Sequence, residues 1–245
     1  MGLVLGPLQY DATQVYDAIA GAGTKEKLLN EIVLGLSPSD VALLAVMYRQ
    51  KYNKVLSDHV TGDLKGDTKK LFALQLAPGR SFATASDVSA DANSLHKAGD
   101  GKFMGKDEDT IFAILMERPY AHLKQVSLRY REQHKKSLAD AVESKFRGDA
   151  EDALVWLVRG FETHRKHPHL DPASVREAEM LEQTMKGMGT KDELLLMRLL
   201  RAHWSRGRMA DVCAAYKGVY GKALSDRVKG ETSGAHEDLL MALIQ

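Results

Sequence analysis

Cysteine is almost absent from the chain. Cys213 stands alone among 245 residues, so no internal disulfide can form. That fits a reducing compartment, or an outside protein that needs no covalent staples. No histidine can be placed beside Cys213 to activate it, so its thiol is not read as a nucleophile. Long apolar runs are missing too: none approaches the roughly 20 residues that span a bilayer. The opening segment MGLVLG, residues 1–6, is too short for the apolar region of a signal peptide and lacks its basic start. An excess of one charge is also lacking. Lys and Arg number 34 against 33 Asp and Glu, a net charge of +1 with histidine neutral. The densest basic runs are His134-Lys135-Lys136 and His164-Arg165-Lys166-His167. An anionic surface attracts each nearby Lys or Arg by only about 1 kcal/mol. Bulk charge therefore argues against a nucleic-acid partner and would not by itself hold a membrane. Sustained strand alternation is absent. So is any nucleophile–base pair or catalytic metal spacing, which argues against an enzyme.

What is present is an ordinary globular composition, 44% hydrophobic and 27% charged, with room for a sizeable core. Two stretches read as linkers: APGRSFATASD (Ala77 to Asp87) and FETHRKHPHLDPAS (Phe161 to Ser174), the second with two prolines. They leave three blocks, 9–76, 87–160 and 173–245. The blocks share a period. Tyr48, Tyr52, Leu56, Asp63 and Gly66 recur as Tyr130, His134, Leu138, Lys145 and Gly148, and again as Tyr216, Tyr220, Leu224, Glu231 and Gly234. The steps are four, four, seven and three residues in every copy. Upstream, Gly23, Gly105 and Gly189 mark the copies, at separations 105 − 23 = 82 and 189 − 105 = 84.

Apolar spacing inside the blocks is helical. Leu28, Leu29, Ile32 and Val33 share a face, as do Val41, Leu44, Met47 and Tyr48; Leu154, Val155, Leu157 and Val158; Leu194, Leu195, Leu199 and Leu200; and Leu239, Leu240, Leu243 and Ile244. The spacing predicts an all-α array with about five short helices per block. One block alone buries its apolar face only partly, so neighbours must pack together. Trp156 and Trp204 are read as core or half-buried anchors rather than lipid contacts.

Two near-copies of a glycine turn stand out, IAGAGTKEKLL from Ile19 and MKGMGTKDELL from Met185. Read as architecture, the last glycine ends a helix in the left-handed conformation. Thr190 then caps the next helix, with Glu193 completing a capping box, and Thr24 caps likewise. Such a turn also directs backbone carbonyls outward, and hard cations such as Ca²⁺ take six to eight oxygen ligands. Carbonyls are available from Ile19, Gly21 and Gly23, and a carboxylate from Asp63, 63 − 23 = 40 residues past the last glycine. The third block offers Met185, Gly187 and Gly189 with Glu231, at 231 − 189 = 42 residues. The difference predicts a two-residue insertion in the loop around HWSRGR.

These residues together resemble the annexins. Repeats of that family carry a K/M-G-x-G-T loop, an acidic residue near forty positions later, and a TSG-like turn. MKGMGTKDE and KGETSGAHEDLLMALI match the pattern. YDATQVYDAIAGAGTKEKLLNEI resembles the second annexin repeat, DANSLHKAGDGKFMGKDED the third and the last block the fourth, so the likeness runs from Gln9 to Gln245. It implies an annexin-type helical array that binds anionic phospholipid membranes when Ca²⁺ rises, a cytoplasmic protein peripheral to membranes. In that family the calcium loops lie on one convex face and lipid oxygens complete the shell. Ala22 and Met188 at the loop tips would then face lipid. A single carboxylate with neutral carbonyls makes a weak site, near 10⁻⁴–10⁻³ M, and several weak sites gain by avidity.

The middle block departs from the pattern. Lys106 stands for the loop threonine and Lys145 for the carboxylate, and AGDGKFMGK is a residue longer than the family loop. Calcium binding of the usual kind is not expected there. Glu143 lies on the wrong side of a helix turn to substitute, and Asp100, Asp107 and Asp109 are read mainly as helix-start acids. Phe103 and Met104 could dip into a bilayer or pack back on the protein. The resemblance also leaves the first annexin repeat without a counterpart. A longer product, a homo-oligomer or the N-terminal segment is expected to cover the surface it would pack on. His164, His167 and His169 lie in a proline-containing linker without further ligands and read as a solvated loop rather than a zinc site. GDLKGD lacks the alternating acids of an EF-hand, and GMGTKDE lacks the spacing of a phosphate loop. The rival reading is a calcium-independent helical scaffold for protein partners, with the loops surviving only as turns.

Overall fold

The computed structural model describes residues 6–21, 23–79, 81–82, 87–101, 105–187 and 189–245. Within them the chain is helical and has no strand. The first block contains α1 (Pro7–Ile19), α2 (Glu26–Leu29, continued by a π turn over Asn30–Leu34), α3 (Pro38–Tyr52), α4 (Leu56–Asp63) and α5 (Gly66–Gln75). The second contains α6 (Val88–Ala98), α7 (Glu108–Glu117), α8 (Tyr120–His134), α9 (Leu138–Lys145) and α10 (Gly148–Arg159). The third contains α11 (Pro172–Met185), α12 (Asp192–His203), α13 (Arg206–Tyr220), α14 (Leu224–Lys229) and α15 (Gly234–Ile244). Leu8–Glu162 form one compact unit, and Thr163–Gln245 make up the bulk of a second. No single helix among the described residues is long and apolar enough to cross a membrane.

The repeated sequence positions are repeated structural parts. Tyr48, Tyr130 and Tyr216 are fully buried, and Leu56, Leu138 and Leu224 nearly so. Each such side chain contributes about 1.5–3 kcal/mol by leaving water. Asn53, Lys135 and Gly221 close α3, α8 and α13 in the left-handed conformation, at φ 53°, 58° and 71°. Gly66, Gly148 and Gly234 open the last helix of each block at φ 55°, 63° and 62°. Most of the predicted apolar faces are buried; Leu28, Met47, Val155, Leu194 and Ile244 are half-buried at their margins, and Leu239 stays exposed on α15.

Helix ends are set by local chemistry. Asp87 and Asp171 cap α6 and α11 by accepting from Ala90 and Ser174 N–H at 2.7 and 2.9 Å. Ser37 and Ser137 cap α3 and α9 through the N–H groups of Asp40 and Asp140, at 3.2 and 3.0 Å. Two distant side chains finish other ends. Buried Gln75 donates to Val33 and Leu36 carbonyls at 2.7 and 3.1 Å, satisfying the end of the π turn. The Glu162 carboxylate accepts from Leu138 and Ala139 N–H at 2.7 and 3.2 Å, holding the start of α9. Burial pushes its pKa up, although those bonds and Arg131 act the other way.

The extra two residues of the third block are not in a loop. From the first residue of α12 to that of α13 is 206 − 192 = 14 residues, against 38 − 26 = 12 and 120 − 108 = 12 in the other blocks. The helix absorbs them: α12 runs twelve residues through His203. Its leucine-rich sequence propagates the helix past the point where Gly35 ends the first-block counterpart.

Candidate metal centre

The two glycine loops are built alike. Lys25 N–H donates to the Ala18 carbonyl at 2.8 Å, and Lys191 N–H to the Thr184 carbonyl at 2.9 Å, closing each loop over the same span. Inside, Gly21 and Gly23 have φ of 130° and 91°, and Gly187 and Gly189 have 110° and 85°. A Cβ at any of the four would meet nothing within 4 Å. The requirement for glycine is therefore conformational, not a matter of space. Among the described residues no hydrogen bond is donated to the carbonyls of Ile19, Gly21, Gly23, Gly187 or Gly189. The tip residues Ala22 and Met188, and Phe103 and Met104 of the middle loop, lie outside the described residues.

The threonines do not cap. Lys25 and Lys191 occupy the cap positions of α2 and α12, with no side-chain cap bond. The Thr190 hydroxyl instead lies 3.4 Å from a Glu231 carboxylate oxygen and 3.5 Å from the Glu231 carbonyl. The loop closure displaces the helix start by one residue, which carries Thr190 away from the first turn and towards the end of α14.

In the third block the loop and the acid meet at one cation. Arg227 Nη2 donates to the Met185 carbonyl at 2.5 Å. Nη1 of the same guanidinium pairs with Glu231, one helical turn further on. Its Nε lies 3.2 and 3.4 Å from the two oxygens of Glu182. Glu182 also accepts from the buried Tyr216 hydroxyl. Burial opposes the charge on Glu182, but the Tyr216 and Arg227 bonds outweigh it and hold its pKa below the usual carboxylate range. Burial likewise works against the Arg227 charge and is overcome by Glu231 and Glu182, which raise its pKa. Two of the predicted ligands, Met185 and Glu231, thus share a positively charged group. That stand-in charge, with carbonyl and carboxylate oxygens facing it, is what a hard cation requires, so the donor set fits Ca²⁺.

The first block is different. Asp63 is the exposed last residue of α4, and no hydrogen bond or ion pair engages it among the described residues. The place of Arg227 is taken by His59, which is 2.6 Å from the Tyr48 hydroxyl and 2.9 Å from Lys54 Nζ. Burial and Lys54 lower the His59 pKa against the opposing pull of Asp63. The place of Glu182 is taken by Tyr16, stacked on Tyr52 with ring centroids 4.1 Å apart.

The middle block carries its own cations. Asp100 accepts from Lys136 at 2.8 Å and from Ser144 at 3.0 Å. Burial opposes its ionisation, but these bonds and the nearby Lys145 charge outweigh that and lower its pKa. Its loop closes from Asp107 N–H to the Ala98 carbonyl at 2.7 Å. That span is 107 − 98 = 9 residues, against 25 − 18 = 7 and 191 − 184 = 7, so the loop is two residues longer than its counterparts, not one. Lys106 pairs with Asp67 at 2.9 Å and lies 4.5 Å from the Phe146 ring centroid. The remaining acids are engaged separately: Asp107 caps α7 through Thr110 N–H at 3.2 Å, Asp109 pairs with Lys70 at 3.7 Å, and Glu143 with Arg159 at 3.5 Å. His164 and His167 stack at 5.1 Å, with His169 at 6.4 Å from His167. Among the described residues no three His, Cys, Asp or Glu side chains cluster to hold a metal. The candidate sites depend on backbone oxygens.

Sequence reading missed Arg227 and Glu182. The signal was in the internal period: Arg227 falls where the other copies have His59 and Ala141, and Glu182 where they have Tyr16 and His96. Only in the third copy are the two positions a charged pair: the first has Tyr16 and His59, tilted with ring centroids 5.8 Å apart, and the second His96 and Ala141.

The annexin family model matches residues 10–74, 90–157 and 176–243. Annexin C1 of Cryptococcus neoformans var. grubii serotype A is 37% identical over 246 residues, covering 99% of this chain and 51% of that protein. The chain thus spans about half the length of that relative. Human annexin A4 is 31% identical, covering 99% of this chain and 73% of that protein. Among solved structures, annexin III superposes with a TM-score of 0.84 at 28% identity, covering 99% of this chain and 72% of that one.

Proposed function

The chain belongs to the annexin family, and from that premise we propose that it docks peripherally on anionic phospholipid membranes in a Ca²⁺-dependent way. The ligands in this reading are the carbonyls of Ile19, Gly21 and Gly23 with Asp63, and those of Met185, Gly187 and Gly189 with Glu231. The observation that carries it is the shared cation between the Met185 carbonyl and the Glu231 carboxylate. Held by these oxygens, Ca²⁺ would supply the positive charge that attracts anionic lipid. The chain's own part is to hold its carbonyls outward through positive-φ glycines and to set a carboxylate beside them. Lipid contact at Ala22, Met188, Phe103 and Met104 belongs to the same reading, as does a cytoplasmic location. A crystal structure of a calcium-bound annexin, (Sm)1, shares the fold at 24% identity, with a TM-score of 0.79 over 97% of this chain and 69% of that one.

Co-sedimentation with phosphatidylserine vesicles tests the proposal. The wild-type chain is expected to pellet with Ca²⁺ and to stay in solution with chelator, and the D63A/E231A variant to stay in solution in both. Pelleting that ignores chelator would instead favour a calcium-independent scaffold. The lysine-neutralised middle block, with Lys136 on Asp100, is the observation on that side.

A further inference from the structure

We propose that Arg227 is a built-in competitor of Ca²⁺, setting the third-block site to respond at higher calcium than the first-block site. The inference rests on the calcium reading above. Three observations carry it. First, the guanidinium already satisfies the two groups a metal needs, the Met185 carbonyl and the Glu231 carboxylate. A divalent ion at those oxygens must displace it, because two positive charges cannot share them at contact distance. Second, the arginine is anchored elsewhere. Glu182 lies at 3.2 Å from Nε, and the Tyr216 hydroxyl fixes Glu182 from the other side. Arg227 can therefore release Met185 and Glu231 while keeping one ion pair, which makes the exchange reversible rather than prohibitive. Third, the device exists in one copy. Arg227 and Glu182 appear together in the third block, where the first has His59 and Tyr16. There Asp63 has no cationic partner among the described residues.

The consequence is a graded response from two loops of the same backbone design. At low calcium the first-block loop loads. At higher calcium the third-block loop loads, once the ion outcompetes the guanidinium. Population of the competent third site is reduced by the fraction of time Arg227 occupies it, and the apparent affinity falls by the same factor.

The test is calorimetric titration of Ca²⁺ into the full chain with phosphatidylserine vesicles present, in a D63N background that isolates the third site. Arg227→Gln removes the charge while keeping amide donors, and Arg227→Met removes both. Thermal melts of each variant establish folding, and Arg227→Lys provides a charge-retaining control. D63N/R227Q is expected to bind Ca²⁺ about tenfold more tightly than D63N, with the Lys variant in between. D63N/E231Q is expected to lose the site. Equal affinity in D63N and D63N/R227Q, with both binding, would overturn the competitor role while leaving the calcium reading intact. No calcium binding in the folded D63N/R227Q or in the wild-type chain would overturn both. Should R227Q fold poorly, D63N/R227M decides, since it also lacks the charge, and affinity there equal to that of D63N overturns the proposal.

Discussion

The Met185 carbonyl and the Glu231 carboxylate, 231 − 185 = 46 residues apart in sequence, are joined by the guanidinium of Arg227. That junction connects the end of α11 to the end of α14. It makes the end of one helix, a glycine turn and a remote acid into one electrostatic unit. From it and its counterparts the following outcomes are expected.

Gly187→Ala forces a side chain onto a backbone at φ 110°, and Gly21→Ala onto one at φ 130°. Each strained residue costs on the order of 1–3 kcal/mol. Relief comes from reshaping the loop, since a Cβ meets no neighbour within 4 Å. Calcium-dependent pelleting is expected to weaken more than global stability falls. Vesicle sedimentation beside urea denaturation checks this, and unchanged pelleting in both variants would contradict it.

Glu162→Ala leaves the N–H groups of Leu138 and Ala139 without their acceptor. Unsatisfied buried donors cost about 1–3 kcal/mol each. Denaturant midpoints should fall accordingly. Calcium-dependent pelleting below the transition should be untouched, because Glu162 touches neither loop.

The acid limb of stability is expected to depend on Asp100. Its folded pKa is lowered, with the Lys136 and Ser144 bonds and Lys145 overcoming burial. A depressed carboxylate stabilises the fold above its unfolded pKa, about 3.9, and that contribution disappears as pH falls through the folded value. D100N should therefore be less stable than wild type at pH near 7 and should lose less on acidification. Urea midpoints across the acid range give the comparison, and parallel curves would contradict it.

Lys145→Glu restores an acid at the middle-block position but should not create a third calcium site. The loop there spans nine residues instead of seven between its closing partners, and Lys136 still holds Asp100. Calcium stoichiometry by equilibrium dialysis should be the same in variant and wild type, and one added ion per chain would refute the argument.

The fold was readable because its signals are local and repeated. The buried tyrosines, the leucines eight residues after them, and the glycine openings of α5, α10 and α15 all recur at fixed intervals. The positive-φ glycines were readable for the same reason, since only the backbone of glycine adopts those angles freely. What sequence could not give was the exact register at helix starts. The sequence predicts Thr190 as a cap, but the Lys191–Thr184 bond moves the helix start one residue on, and the hydroxyl turns to Glu231. The 42-residue spacing predicts the two extra residues of the third block in the loop around HWSRGR, yet the leucine-rich α12 carries them as helix. Arg227 was missed because its role exists only once helices distant in sequence are packed together. A single arginine on a polar helix face looks like any solvated charge.

The most direct measurement is a crystal structure of the full chain soaked with calcium. Metal density is expected about 2.3–2.6 Å from the carbonyls of Ile19, Gly21 and Gly23 with Asp63 turned in. A second ion is expected at Met185, Gly187, Gly189 and Glu231, with Arg227 withdrawn onto Glu182. Both loops empty at saturating calcium, with Asp63 and Glu231 turned away, would contradict the account.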